Sequence, residues 1–447
     1  MKKSNFKKLF ENPPLTLAIS FAVIIVLGAI LLNLPVSSQN GKSVGFVNAL
    51  FTSASATCVT GLTVVNTAAY WSVFGKIVII SLIQIGGLGT MVVFSMLAVI
   101  LRRRIGLKQR LLIKEQLNSN SLKGLVRLVK YVISVSFFIE FLGALLLSIK
   151  FIPIYGITKG ILFGIFHSIS AFCNAGFDLL GNSLVPYYND VYLNLVIMGL
   201  VIVGGLGFTV YLDVYHKKKW TKFNLHTKLV LITSAILLLV GIVFFLLIEN
   251  NNTRTIGNMP FKDKLLVASF QSTIVRTAGF NSIDTSKLTD ATIFLLTILM
   301  FIGGSPASTA GGIKTTTFGV LLFTSISMLK GERRTVVLKK TVPMSTILKA
   351  LVIVFMCMLL VVFVAFGVQV VEKDRFEFID VLFETVSAFA TVGITRGITP
   401  ELSSVSKIIL TITMFLGRVG PTTLAVGFMR KKKISKLKYS EANIIVG

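Results

Sequence analysis

Four strips of this sequence carry the same pattern, a short apolar stretch, a hydroxyl side chain and a glycine six residues later. They read FTSASATCVTGL at 51–62, FHSISAFCNAGF at 166–177, SFQSTIVRTAGF at 269–280 and FETVSAFATVGI at 383–394. Aligned without gaps, they place Gly61, Gly176, Gly279 and Gly393 in one column and Ser55, Ser170, Thr273 and Ser387 in another. Around the glycines stand Val59-Thr60-Gly61-Leu62, Asn174-Ala175-Gly176-Phe177, Thr277-Ala278-Gly279-Phe280 and Thr391-Val392-Gly393-Ile394. None of these four segments contains Asp or Glu, so the ligand atoms they offer are backbone carbonyls. Rings of carbonyls can replace the hydration shell of an ion. Glycine suits such a site because aiming successive carbonyls at one axis requires backbone angles that a side chain resists.

Other chemistries find less support. No HExxH or GxSxG motif and no paired intramembrane carboxylates appear, which argues against an enzyme. The three histidines do not form a metal set by position: His167 lies in a strip, while His216 and His226 lie in a basic loop. Cys58, Cys173 and Cys357 sit in apolar surroundings and give no disulfide framework.

The elements that must hold the strips are membrane helices. Of the 447 residues 54% are hydrophobic and 14% charged, with a mean hydropathy of +0.83, far more apolar than a soluble domain with about a quarter charged residues. Runs of about 20 apolar residues can cross a bilayer core. Seven are clear, at 15–34, 77–101, 131–149, 191–212, 229–248, 350–371 and 408–429, and an eighth at 291–326 is interrupted over 303–317. Lys2, Lys3, Lys7 and Lys8 ahead of the first run look like the start of a signal peptide. No small-residue cleavage site follows, so the run is expected to stay as a helix.

Each strip lies between two spans and is too short to cross, since about 10 helical residues rise about 15 Å. It is expected to enter the membrane and turn back, which irregular backbone tolerates only where it lines water or is buried in protein. The strip glycines are 115, 103 and 114 residues apart. A second column follows them, Gly86-Gly87, Gly204-Gly205, Gly303-Gly304 and Gly417-Arg418, starting 25, 28, 24 and 24 residues after each glycine.

The fold expected is an all-α membrane protein of four fused helix, pore-loop, helix repeats, eight transmembrane helices around a pseudo-four-fold pore. The repeats fall at about 13–101, 125–215, 228–327 and 346–430 of a single membrane domain, 1–447, with tails 1–12 and 431–447. The C-terminal ends of the four half-helices would turn their negative dipole ends toward the pore and favour a cation.

The net charge of +27 is distributed as topology requires. Segments 1–12, 102–130, 216–228, 330–349 and 430–447 hold 30 of the 45 Lys and Arg and only four acids, Glu11, Glu115, Glu332 and Glu441, and so carry +26. Eight crossings put all five on one side, which the positive-inside rule makes cytoplasmic, with both termini inside. Topology and membrane lipid headgroups account for the charge, and nucleic acid is not called for.

Two features point to control of the pore. The break GGSPASTAGGIKTTT at 303–317 is too polar and glycine-rich for a continuous apolar helix. It could be a flexible loop beneath the strips. It is not a phosphate-binding loop, because Ile313 separates Gly312 from Lys314 and no strand precedes it. Arg418 lies inside the last span, where an Arg costs about 2.5 to 3.5 kcal/mol. By the second column it replaces Gly87, Gly205 and Gly304, so it is expected below the strips, bracing the loop around Gly311 and Gly312 or, alternatively, paired with Glu140 or Asp213. Lys314 is expected to reach the cytoplasmic face, and Arg276 to pair behind the strips with an acid such as Glu384.

The chain resembles, over its whole length, the Trk/Ktr/HKT superfamily of potassium transporters, and its eight spans and short N-terminus are most like the Ktr-type membrane subunit. Thr391-Val392-Gly393 repeats the Thr-Val-Gly of potassium-channel filters, and the four strip glycines occupy that family's filter positions. The resemblance implies potassium uptake across the cell membrane, with K+ held by the filter carbonyls. It implies an intramembrane gating loop including Gly304, Ser305, Ala310, Gly311, Gly312 and Lys314. Na+ as an activator, a homodimer, and a cytoplasmic nucleotide-binding ring as regulatory partner are also implied. Asn174-Ala175 in place of a Thr-Val pair, and Arg276 before the third strip, depart from four-fold symmetry and bear on selectivity. The alternative is a secondary transporter for another monovalent cation or a small solute, with broken helices at a midplane site.

Overall fold

A computed structural model describes residues 13–89, 92, 111, 125–332, 334–373 and 375–420. Both tails, most of the basic segment 102–130, and the ends of the runs expected at 77–101 and 408–429 lie outside the described residues.

The described chain is almost entirely helical. Four helices are long and apolar enough to cross a membrane: α1 (Pro13–Asn33), α4 (Leu125–Tyr155), α8 (Leu225–Glu249) and α12 (Met344–Glu372). Each is followed by a short helix, respectively α2 (Phe46–Cys58), α5 (Ile157–Phe172), α9 (Phe261–Ile274) and α13 (Phe378–Ala390). After a loop comes a further apolar helix, α3 (Val73–Leu88), α6 (Val191–Leu206), α10 (Asp290–Phe301) or α14 (Ser404–Val419). The helix α7 (Phe208–Lys217) continues α6, and α11 (Thr315–Leu329) continues α10. A small antiparallel pair, β1 (Val336–Val337) and β2 (Lys340–Thr341), caps the turn between α11 and α12.

Burial separates these elements. The long helices expose large apolar side chains on one face, among them Leu27, Phe141, Leu247 and Phe363. The C-terminal halves of the short helices are buried, small and hydroxylic: Ser53, Ser55 and Thr57 in α2, Ser168 and Ser170 in α5, Ser272 and Thr273 in α9, Thr385 and Ser387 in α13.

Three of the short helices dock on their long neighbours by one device. The hydroxyls of Ser53, Ser168 and Ser272 donate to the carbonyls of Ile25, Glu140 and Leu238, at 2.7, 2.6 and 2.7 Å. Gly28, Gly143 and Gly241, each three residues further along the long helix, leave room for those hydroxyls.

The third helix of each succession starts on a side-chain cap. Ser72, Asp190, Thr289 and Ser403 accept from the backbone N–H of Gly75, Leu193, Thr292 and Ser406, satisfying donors that a helix start leaves free.

The second, fourth and eighth runs are not the unbroken spans expected. The helices α3, α6 and α14 end on Gly89, Gly207 and Gly420, with φ of +90°, +94° and +91°. Each lies three residues beyond the second-column glycine, and α6 and α7 meet at 92°. Glycine adds nothing polar to an apolar run, so hydropathy passes straight over a break that the backbone angle enforces.

Candidate functional site

The four strip glycines come together. A Cβ added at Gly61 would meet the Ala175 carbonyl at 2.5 Å, and one at Gly176 would meet the Gly279 Cα at 2.6 Å and the Ala278 carbonyl at 2.8 Å. One at Gly279 would meet the Val392 carbonyl at 2.8 Å, and one at Gly393 the Thr60 carbonyl and, at 2.9 Å, the Gly61 Cα. The order 61, 176, 279, 393 thus closes on itself. The carbonyls of Thr60, Ala175, Ala278 and Val392, each just before a strip glycine, lie against that ring. No side chain fits at any of its four corners.

Local backbone conformation produces this arrangement. Each strip has a left-handed residue two positions before its glycine, Val59 at φ +59°, Asn174 at +60°, Thr277 at +72° and Thr391 at +53°, and the glycines follow at +96°, +69°, +73° and +88°. The non-glycine residues accept this strain, of about 1 to 3 kcal/mol each, because packing surrounds them: the side chains of Val59, Asn174, Thr277 and Thr391 are all buried.

The hydroxyl column holds the turns. Ser55 and Ser387 Oγ accept from Gly61 and Gly393 N–H, both at 3.1 Å. Ser170 Oγ instead donates to the Phe177 carbonyl at 2.7 Å, and Thr273 Oγ1 bonds back to Ser269 within its own helix at 2.8 Å. Strips one and four are therefore built alike, while two and three differ from them and from each other.

Within the strips, Leu62, Phe177, Phe280 and Ile394 are buried in the apolar core. Thr60, Thr277 and Thr391 are also buried, and their hydroxyls have no hydrogen-bond partner. Unpartnered buried oxygens are costly; the Thr391 hydroxyl lies against Gly311 of the loop at 302–314.

The second glycine column has a physical reason. A Cβ at Gly86, Gly204 or Gly417 would collide with the carbonyl of Thr57, Phe172 or Phe389, each four residues before its strip glycine. Gly303 differs, lying instead against the Gly311 carbonyl.

Residues 302–314 form a loop tied to several elements at once. Ile302 and Ile313 pair in parallel, and Gly304 N donates to Gly311 O at 3.3 Å. Ser305 N reaches Gly205 O at 3.0 Å, and the Ser305 and Thr315 hydroxyls lie 3.0 Å apart. Gly312 turns the chain at φ +64°. Gly311 packs on the Thr391 hydroxyl, and a Cβ there would lie 2.9 Å from the Ala390 carbonyl. The Thr309 hydroxyl contacts Asn174 Oδ1 at 3.2 Å and Gly204 O at 3.0 Å, and Asn174 Nδ2 donates to Arg276 O at 3.3 Å. The Asn that breaks the symmetry of the strips thus joins the second to the third and to the loop.

Arg418 meets this loop at a different point from the one expected. Its guanidinium donates to the Thr309 carbonyl, not to Gly311 or Gly312, and to Gly86 O at 2.5 Å and Gly87 O at 3.3 Å. The pairing with Glu140 or Asp213 is not found: Glu140 accepts from Gln84 at 3.0 Å, and Asp213 from Lys217, Asn224 and Thr227. The carbonyls at the end of α3 carry the negative end of its dipole and receive the cation without an acid.

Two further expectations are corrected. Lys314 folds back onto the loop, donating to Ala310 O at 2.8 Å, rather than reaching outward. Arg276 does not pair with Glu384 but donates to Ser234 O and Oγ of α8, both at 3.0 Å, while Glu384 accepts from Thr399. The docking serines, the helix caps and the breaks at Gly89, Gly207 and Gly420 escaped the sequence reading, although the Ser, Asp and Thr caps left a readable signal.

A family model described as TrkH, cation transport protein, matches residues 2–437. The chain is 42% identical to Ktr system potassium uptake protein B of Bacillus subtilis over 98% of its own length and 97% of the relative's. It is 40% identical to the potassium/sodium uptake protein NtpJ of Enterococcus hirae, over 100% and 99%. The crystal structure of the potassium transporter TrkH from Vibrio parahaemolyticus superposes with a TM-score of 0.73 at 18% identity, over 94% of this chain and 85% of that one, a likeness of fold.

Proposed function

This chain belongs to the TrkH family of cation transport proteins, multi-pass membrane transporters and not enzymes, and from that premise we propose that it takes up potassium through the ring of four glycines. The single observation that carries the reading is the closed ring itself, with four carbonyls against it. In this reading the residues Val59–Leu62, Asn174–Phe177, Thr277–Phe280 and Thr391–Ile394 are a selectivity filter, and K+ is the cargo held at their carbonyls.

The surrounding architecture is four helix, pore-loop, helix repeats, eight spans in all, in the cell membrane with both termini cytoplasmic. The four short helices, ending at the ring, supply negative dipole ends that attract a cation without a fixed charge. The loop 302–314 and Arg418 form the gate: the guanidinium places a positive charge below the ring, repelling a passing cation, and ties the loop to α3. Na+ as activator, a homodimer and a cytoplasmic nucleotide-binding ring belong to the same proposal, supported by the naming of the B. subtilis relative as part of a Ktr system and by the +26 charge of the basic segments, which suits an acidic partner.

The test is cation flux in proteoliposomes, with the regulatory partner present. The native chain is expected to pass potassium and rubidium in preference to sodium, and Gly393→Ser to weaken that preference about tenfold, since a side chain there meets the Thr60 carbonyl. Absence of cation flux, or an unchanged preference in Gly393→Ser, overturns the reading.

A further inference from the structure

The residue nine positions before each strip glycine is Thr52, His167, Phe270 or Glu384, and two of the four do something the others do not. His167 is fully buried in α5. Its Nδ1 lies 2.7 Å from the Phe163 carbonyl, and its Nε2 accepts from Leu179 N–H at 3.2 Å. A carbonyl can only accept, so both bonds form together when the proton is on Nδ1 and the ring is neutral. Leu179 stands two residues beyond strip two. The imidazole therefore ties the pore-ward end of α5 to the chain leaving the ring.

Glu384 does the same for strip four. It is 2% exposed, and its Oε1 accepts from the Thr399 hydroxyl. That hydroxyl lies 3.1 Å from the hydroxyl of Thr395, which accepts from Gly397 N–H at 3.0 Å. The Thr395 carbonyl in turn accepts from Thr285 at 2.5 Å. Outside this, Arg396 bridges Asp380 at 2.5 Å and Asp290 at 3.2 Å. The second oxygen, Oε2, is buried with no partner, so the carboxylate is not part of a closed ion pair. By contrast, Thr52 spends its hydroxyl on Asn48 within its own helix at 2.9 Å, and Phe270 has no polar atom to use.

Strips two and four are diagonal to one another in the cyclic order of the ring. We propose that His167 and Glu384 are positioning residues that brace the outer ends of these two strips and thereby set the preference for potassium over sodium. The inference rests on the filter reading and adds to it a two-fold division of labour: on one diagonal the residue nine positions before the glycine braces the strip, and on the other it does not, strip three being held instead through Asn281, whose N–H donates to Ser183 Oγ at 2.9 Å and whose carbonyl accepts from Leu184 N–H at 2.8 Å. On the snug-fit account of carbonyl selectivity, a ring discriminates between ions of different radius as far as its backbone resists closing on the smaller one. Side chains that hold the exit of a strip from behind supply that resistance.

The experiment compares the potassium-to-sodium flux ratio in proteoliposomes for the full chain with its partner present. Glu384→Ala and His167→Ala are each expected to lower the ratio about tenfold, the factor that loss of one bond to a charged or well-oriented partner supplies. Glu384→Gln keeps an acceptor for Thr399 and is expected within about twofold of the native ratio by the same reasoning. Phe270→Leu, in the same column without a brace, leaves it unchanged. Thr399→Val removes the donor from the other side, and its loss should match Glu384→Ala, so the inference stays testable where the alanine variant does not fold.

A native ratio in Thr399→Val and His167→Ala overturns the inference, as does a Glu384→Gln variant as impaired as Glu384→Ala. Gly393→Ser run in parallel separates the two levels: if it loses selectivity while the brace variants do not, the filter stands and the brace falls. If Gly393→Ser is also unchanged, the filter reading fails first.

Discussion

Gly279 stands at φ +73° with the Val392 carbonyl, the Gly176 Cα and the Gly393 Cα around the position a side chain would take. Alanine there bears the cost of a left-handed conformation, about 1–2 kcal/mol, and pushes its methyl into backbone that cannot rotate away. Gly279→Ala is expected to lower rubidium uptake at least about tenfold while the purified protein stays monodisperse, because the strain is confined to the ring. Gly367→Ala on α12, with open space at the Cβ, is the matched control and should transport as the native chain does. The need for glycine at these positions was legible from one column of four aligned strips. The partner of Arg276 was not, because opposite charge suggests Glu384 while proximity delivers the carbonyl and hydroxyl of Ser234. A buried cation can be satisfied by neutral oxygens, and a sequence gives no measure of which lies nearer.

The helices show a similar division between what patterning reveals and what it conceals. The four long apolar helices follow from hydropathy, whereas the ends of α3, α6 and α14 depend on one backbone angle each and leave no hydropathy signal. Helix starts were more legible than stops, since Ser72, Asp190, Thr289 and Ser403 are all strong capping types. The third and fourth of these starts are also held by carboxylates from the preceding long helix. Glu249, fully buried at the end of α8, accepts from Asn252, Thr255, Thr289 N–H, Thr289 Oγ1 and Thr292. Glu372, at the end of α12, accepts from the N–H and hydroxyl of Ser403. Removing an acceptor leaves its buried donors unsatisfied, at about 1–3 kcal/mol for each that water does not reach. Glu249→Ala is therefore expected to lower the thermal midpoint in detergent more than Glu372→Ala, and Glu249→Gln to recover part of the loss. Equal shifts for the two alanine variants would contradict the capping role.

Across the whole molecule, the ring requires contributions from segments more than 100 residues apart, and Arg418 is where three of them are fastened together. From α14 it reaches the Thr309 carbonyl in the loop after α10 and the Gly86 and Gly87 carbonyls at the end of α3. The sequence placed an arginine at this depth and marked it as expensive; it could not say that the arginine would be held by carbonyls, because the loop path that brings Thr309 to it runs through contacts with Gly204, Gly205 and Asn174 from another part of the chain. If arginine and loop act as one gate, their removal is not additive, as expected of residues that share a single network. Arg418→Ala should raise potassium flux several-fold under conditions where the native pore is held closed, and so should deletion of residues 308–311. The double variant should rise no further than the larger single change. Arg418→Lys, which keeps the charge but has a single ammonium in place of the fork that reaches the Thr309 carbonyl and those of Gly86 and Gly87, should lie between native and alanine. Flux that multiplies in the double variant would show two independent barriers, and flux unchanged by Arg418→Ala would remove the residue from the gate altogether.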